Sequence, residues 1–522
     1  MQRYSATGPS IKVTQKMRSR LSRLPASRIT YVVYALIVLT SVSLVSNFNE
    51  EPRTWAADEV PVAFWSWRIQ SPSQADVLET VEKTSANRLF MRTGQIDYRD
   101  GRLIRIRPLS GSFPREIELH LVYNATRNLL DQLETVAPTT LATTVVNAYN
   151  EDLERAKDDN ANVRGLQLDI DVPTRLLPQY EKTLLALRAK LAAETQLSIT
   201  GLPTWMESPK LDQVLQTVDF WIPQFYGSEI PKRSDQLIPI SSPQNLTHSV
   251  KRARQLNRPF YAGLSAYSVA ILYGPSGALI SLRGDMDTSG IASDPNLELI
   301  DRRQFEKATG EWRYVFRAKT DGVTDHLAMH AGDLLVVDLP STESLRTAAR
   351  IVREQAGEKL LGICVFRLPA REDPATLTAD QVHAALTDRD AAAVVDVRIK
   401  REQTNYAIEL RNVGTASAIL GTPQIDLTVN SGSVEAIKFE TNVAFETLCA
   451  DAKSSPQPCS QRRANLIRLT PKTLNAGQVL KATLVLNRQL PPAVQVSITL
   501  STDNGGKYSM NREVSVEGGI SQ

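Results

Sequence analysis

Between residues 60 and 388, short apolar segments alternate with stretches of helical spacing, and few folds accept that alternation. The apolar segments are 60–67, 88–93, 118–123, 163–173, 197–202, 218–226, 258–267 and 361–368. Between them, 78–86, 127–133 and 341–356 read as helices, and Tyr180, Leu184, Leu187 and Leu191 share one helical face. A strand followed by a helix and then another strand is a parallel unit. Eight of them predict an α/β fold, a (β/α)8 barrel of TIM type whose reactive groups gather at the C-terminal ends of its strands. Those ends carry Trp65, Trp67, Arg92, Tyr123, Asp169, Asp171, Trp205, Gln224, Tyr226, Tyr267 and Arg367. Aromatic rings and acids at one rim suit sugars, whose apolar faces stack on rings while their hydroxyls seek polar partners.

The fourth segment runs Val-Arg-Gly-Leu-Gln-Leu-Asp-Ile-Asp-Val-Pro from Val163 to Pro173. Side chains alternate along a strand, so Leu166, Leu168 and Ile170 share one face and Gln167, Asp169 and Asp171 the other. Two carboxylates on one face raise each other's pKa, and burial raises both. The bland alternative is a pair that caps a turn or meets an Arg or Lys.

The stretch Arg164 to Asp171 resembles the Asp-Gly-x-Asp-x-Asp-x-Glu signature on the fourth strand of family-18 glycoside hydrolases. Gly165 and Asp169 match it, Arg164 and Gln167 replace its first two acids, and Asp171 stands where that family has its catalytic Glu. Residues 219–227 look like the family's sixth strand, with Tyr226 in the place of the Tyr that touches the N-acetyl group and Gln224 in that of a Met or Gln. The resemblance covers about 60–388, including an α+β insertion at about 269–332, and Arg367 stands where the family ends its eighth strand with a Trp. The whole layout is similar to a bacterial family catalogued as domain of unknown function 3142.

The resemblance implies Asp171 as general acid, Asp169 as its proton-sharing neighbour, and Tyr226 as a catalytic group orienting the substrate's own N-acetyl oxygen, which acts as nucleophile. It implies sugar contacts from Gln224, Trp205, Trp67, Tyr123, Tyr267, Arg367 and Arg92. The partner would be an N-acetylhexosamine-containing polysaccharide or amino-sugar oligomer, with no cofactor. A non-catalytic glycan-binding or scaffold protein of the cell envelope on the same barrel is the competing expectation.

The rest of the chain supplies context. Arg3, Lys12, Lys16, Arg18, Arg20, Arg23 and Arg28 precede an uncharged apolar run at 29–48, long enough to cross a bilayer as a helix. The expectation is a basic cytoplasmic tail (1–28), a single-pass anchor in the cytoplasmic membrane (29–48), a linker (49–59) and the main domains outside, in the periplasm or extracellular space. A cleaved signal peptide would release the same domains. Net charge is +3, and without the basic tail the remainder is mildly acidic, which argues against nucleic acid as partner.

From residue 389 to 522 the pattern becomes short alternating strands, seven of them read between 394 and 501, predicting an all-β immunoglobulin-like sandwich that spaces the barrel or binds glycan. Cys449 and Cys459 bracket a polar loop and are a candidate disulfide pair in an oxidising compartment, the alternative being two unlinked thiols, and Cys364 reads as a buried thiol. No Cys or His spacing marks a metal site.

Overall fold

The structure is a computed structural model and describes residues 53–227, 230–236, 238–239, 242–305, 311–371, 373–403, 405–430, 434–439, 443–451, 454–486 and 488–518. The expected basic tail and anchor (1–48) lie outside the described residues. Among the described residues no helix is long and apolar enough to cross a membrane.

Strands β1 (Val62–Ser66), β2 (Arg88–Arg99), β3 (Arg102–Ile106), β4 (Glu118–Ala125), β5 (Asn162–Asp169), β6 (Gln196–Gly201), β7 (Phe220–Pro223) and β8 (Phe260–Ser265) appear in that order. After β8 the chain makes a separate five-stranded antiparallel sheet from β9 (Val269–Tyr273), β10 (Leu279–Arg283), β11 (Leu297–Gln304), β12 (Trp312–Ala318) and, past the short hairpin β13 (Gly322–Thr324) and β14 (Leu327–Met329), β15 (Leu334–Leu339). Strand β16 (Leu360–Phe366) then pairs in parallel with both β8 and β1, and β1 pairs with β2. The result is a closed ring of eight parallel strands, β1, β2, β4, β5, β6, β7, β8 and β16, with β3 folded back along the outer end of β2.

Alternation along each strand builds two cores. Val62, Phe64, Leu89, Met91, Leu119, Leu121, Leu166 and Leu168 point outward into one apolar layer shared with Tyr180, Leu184 and Leu187 of the helix Leu177–Arg188. Ala63, Trp65, Phe90, Val122, Phe220, Ile222, Tyr261 and Cys364 point inward and fill the ring. The barrel is therefore packed, with room only at its mouth.

At the foot of the ring His120 is fully buried against Phe90 and Phe220, with ring centroids 4.9 and 5.5 Å away. Burial, the largest influence, lowers its pKa to about 4 despite the neighbouring Glu118, so it is a neutral core histidine at neutral pH. Gly165 makes this possible: a Cβ there would lie 2.5 Å from the His120 Nδ1 and 2.6 Å from the Gln196 carbonyl.

Ten strands between Val395–Glu402 and Lys507–Glu517 form the C-terminal part. Ile399 and Ile408, from one pair of neighbouring strands, meet Ile425, Ile467 and Ile498, from a second run of neighbouring strands, in one core, as two packed sheets require. The sequence reading missed the strands Val443–Asp451, Ser454–Pro458 and Lys507–Glu517. Cys449 and Cys459 are joined as a disulfide with Cα atoms 5.8 Å apart, and Cys364 is a free buried thiol.

Gly165→Ala should lower stability by about 1–3 kcal/mol, the usual cost of forcing extra atoms into a packed core. Urea unfolding monitored by tryptophan fluorescence measures it, and an unchanged midpoint would contradict the packing described for His120.

Candidate active site

Residues toward the C-terminal ends of the ring strands and in the turns just past them surround a cavity of about 250 Å³. Its walls are Trp65, Trp67, Arg92, Asn124, Asp169, Asp171, Thr200, Ile222, Gln224, Tyr226, Gly263, Tyr267, Cys364 and Phe366. A larger void of about 670 Å³, where the barrel, the inserted sheet and the C-terminal strands meet, shares none of these residues. It lacks a pair of facing acids at a strand end, so the smaller cavity is the chemical candidate.

Strand β5 places the acids. Gln167 is buried in the ring, accepting from the Trp65 indole N–H (2.7 Å) and donating to the Ser198 hydroxyl (3.3 Å). One pleat higher, Asp169 is half-buried and accepts from the Thr200 hydroxyl at 2.7 Å. The chain then leaves the sheet in a tight turn, with the Val172 N–H bonded to the Ile170 carbonyl at 2.7 Å. Ile170 and Val172 are buried on the outer side, which holds Asp171 on the inner side at the exposed mouth. Among the described residues Asp171 makes no hydrogen bond or ion pair, so neither Arg164 nor Arg367 locks it.

The electrostatics follow from this crowding. Loss of water, and then the Asp171 charge, raise the Asp169 carboxyl to about 7, against the smaller lowering effects of Thr200 and Arg92. Asp171 is exposed to the mouth on one side and walled by protein on the other, and partial desolvation raises it too. Two such groups lose their protons in steps that belong to the pair, so the pair retains a proton as pH climbs toward about 7.

Aromatic rings complete the wall. Tyr226 stacks on Phe366 with centroids 5.9 Å apart and planes 22° from parallel, and Tyr267 meets Phe366 edge-on at 5.1 Å. Burial holds the Tyr226 phenol well above its ordinary pKa, keeping it a hydrogen-bond donor. Three polar atoms, the Trp67 indole nitrogen, the Arg92 Nε and the Asn124 carbonyl oxygen, find no partner among the described residues. All three belong to cavity-lining residues, a polar lining matched to a ligand's hydroxyls.

The structure brings together Asp169, Asp171, Tyr226, Gln224, Trp67, Tyr267 and Arg92, and it corrects three other expectations. Tyr123 points outward from β4, fully buried, and its hydroxyl donates to Asp152 at 2.7 Å. Trp205 lies past the end of β6, fully buried against Tyr180, with its indole N–H bonded to the Val172 carbonyl at 2.8 Å. Arg367 is buried in a two-pronged pair with Asp373, both bonds 2.7 Å, beneath the rings of Trp67 and Tyr267. None of the three reaches the cavity. The aromatic wall at the end of β16 is Phe366, one residue earlier than the reading placed it.

Asn124, Thr200, Ile222, Gly263 and Cys364 also line the site and were not read as site residues. Strand parity could have found Asn124 and Phe366, since each shares a face with inward residues two positions back: Val122 and Cys364.

Residues 126–286 match the family described as "Domain of unknown function (DUF3142)". No curated protein matches this chain. Among solved structures, the chain is similar to the Bacillus cereus spore cortex-lytic enzyme SleL at 13% identity and TM-score 0.41, over 63% of this chain and 74% of that one. It is similar also to a chitinase from Chromobacterium violaceum ATCC 12472 at 14% identity and TM-score 0.41, over 63% and 98%. A family GH18 chitinase from Chromobacterium violaceum aligns over 88% of this chain and 92% of its own, at 10% identity and TM-score 0.39.

A carboxyl whose pKa rises on folding binds its proton more tightly in the folded state, so it costs stability as pH climbs from the ordinary carboxylate range through about 7. Asp503, buried and also raised to about 7, acts with the same sign, so the comparison is between variants at one pH. Asp169→Asn should melt higher than the wild type at pH values above about 7 and match it near pH 4, where both carry no charge there. Scanning calorimetry across that range decides it, and an equal or lower melting temperature at the alkaline end would contradict the crowded pair.

Proposed function

We propose, for a chain whose residues 126–286 fall in the DUF3142 family, that the barrel is a glycoside hydrolase acting on an N-acetylhexosamine-containing polysaccharide. One observation carries the reading: two coupled carboxyls, able to hold a proton near neutral pH, stand at the mouth of a cavity whose outer acid has no cation locking it. A fixed ion pair would lower its pKa and end its use as an acid.

In this proposal the shared proton leaves through Asp171, the outer member of the pair, to the glycosidic oxygen as the bond to the anomeric carbon breaks. The carbonyl oxygen of the substrate's own N-acetyl group attacks that carbon, so no second distant carboxylate is needed. Tyr226 donates to the N-acetyl oxygen and Gln224 steadies the group. Trp67 offers its ring to a sugar face, and Asp169 returns to the ionised form as the positive charge grows beside it.

The apolar run at 29–48 anchors the protein in the cytoplasmic membrane with the main domains outside. The Cys449–Cys459 disulfide supports an oxidising location.

Asp171→Asn should lower kcat on amino-sugar oligomers by about 10²–10⁴-fold with binding retained. Turnover is read by reducing-end release and binding by calorimetry. If wild type and variant bind alike and neither cleaves any amino-sugar oligomer, the barrel is a glycan-binding module instead. The activity of the wild type should fall as pH rises through about 7, where the pair gives up its shared proton.

A further inference from the structure

Four arginines are buried among the described residues: Arg92, Arg313, Arg353 and Arg367. Three of them face an aspartate at ion-pair distance: Arg313 with Asp338, Arg353 with Asp388 and Arg367 with Asp373. Arg92 is 7% exposed and has no such partner. Among the described residues its Nη1 donates to the Trp67 carbonyl at 3.2 Å while its Nε is buried without a partner, and the side chain lines the candidate cavity.

A buried cation that no carboxylate meets at ion-pair distance is costly; the charge of Asp169 acts on Arg92 from farther off, and folded chains tolerate such a group chiefly where a ligand supplies the missing partner. A second cation sharpens the case. Arg107, exposed where the chain leaves β3, lies close enough for its charge to act on Arg92, second only to burial in lowering the Arg92 pKa. Among the described residues Arg107 makes no ion pair. The acid pair, holding one proton, contributes one negative charge against these two guanidiniums, so the mouth keeps a positive surplus. Guanidinium geometry fits a carboxylate with two parallel hydrogen bonds.

We propose that Arg92, backed by Arg107, makes this cleft specific for a glycan in which the amino sugar alternates with, or itself bears, a carboxylate. The proposal rests on the cleft being a sugar site and adds the class of sugar. Arg92 grips the carboxylate inside the cavity, and Arg107 draws the anionic chain toward it.

The test uses the full-length chain in detergent and two probes: a hyaluronan hexasaccharide, in which N-acetylglucosamine alternates with glucuronate, and the same oligosaccharide with its carboxylates reduced to alcohols. The native oligosaccharide should bind at least about tenfold more tightly, and raising salt should erode that advantage. Arg92→Gln should abolish the difference between the probes. Arg107→Gln, an exposed change that leaves the core untouched, should reduce the difference and its salt dependence. Equal affinity of the wild type for both probes overturns the assignment of charge while leaving a sugar cleft standing. Failure of the wild type to bind either probe overturns the cleft and this proposal together. A melting curve for each variant separates misfolding from loss of contact.

Discussion

The withdrawal of two neighbouring carboxyls from water, reinforced at Asp169 by the charge of Asp171, governs this site. Asp169 sits in a half-buried layer and Asp171 one pleat above it, at the exposed mouth. Water reaches the outer acid more freely than the inner one. A proton is therefore retained at a pH where ordinary carboxyls have lost theirs, with Thr200 and Arg92 opposing that retention only in part. The rest of the barrel can be understood as the frame that keeps this crowding from relaxing. Gln167, bonded to Trp65 and Ser198, pins the strand one layer below, and Ile170 and Val172 pin it from outside. A neutral Gln at that lower position spares the interior a third negative charge.

Much of the fold was readable because the physical period of a strand and that of a helix differ. All eight ring strands fall on segments read from the sequence pattern. What escaped has specific causes. The helix Pro138–Asp158 opens Pro-Thr-Thr-Leu-Ala-Thr-Thr-Val-Val, a run rich in β-branched residues that disfavour helix, and it forms because Leu141, Val145 and Tyr149 gain burial against the barrel. The outer half of β2 runs on past the segment read, with Ile96 buried in the outer core and Tyr98 and Leu103 of its hairpin with β3 packed beside it.

The site was legible in its acids and only partly in its walls. Tyr123, Trp205 and Arg367 were assigned to the rim because they close strand-like segments, yet closing a segment does not fix which way a side chain points. Tyr123 is one residue out of phase with the inward face, and that step moves it to the opposite side of the sheet. Arg367 follows the last residue of β16 and packs against Trp67 and Tyr267 while paired with Asp373. Trp205 lies in a turn after its strand has ended, free to fold back over Tyr180. Conversely, Asn124 and Phe366 are in phase and reach the cavity. Arg92 is in phase as well, but that its charge has no carboxylate partner could be learned only from three-dimensional neighbours.

The shared proton can be observed directly. Isotope-edited infrared spectroscopy of protein labelled at aspartate carboxyls should show a protonated-carboxyl band that persists well above the ordinary carboxylate range, fades as pH passes about 7, and is missing in Asp169→Asn. A spectrum identical in the wild type and Asp169→Asn, with these acids fully ionised in the ordinary carboxylate range, would contradict the account.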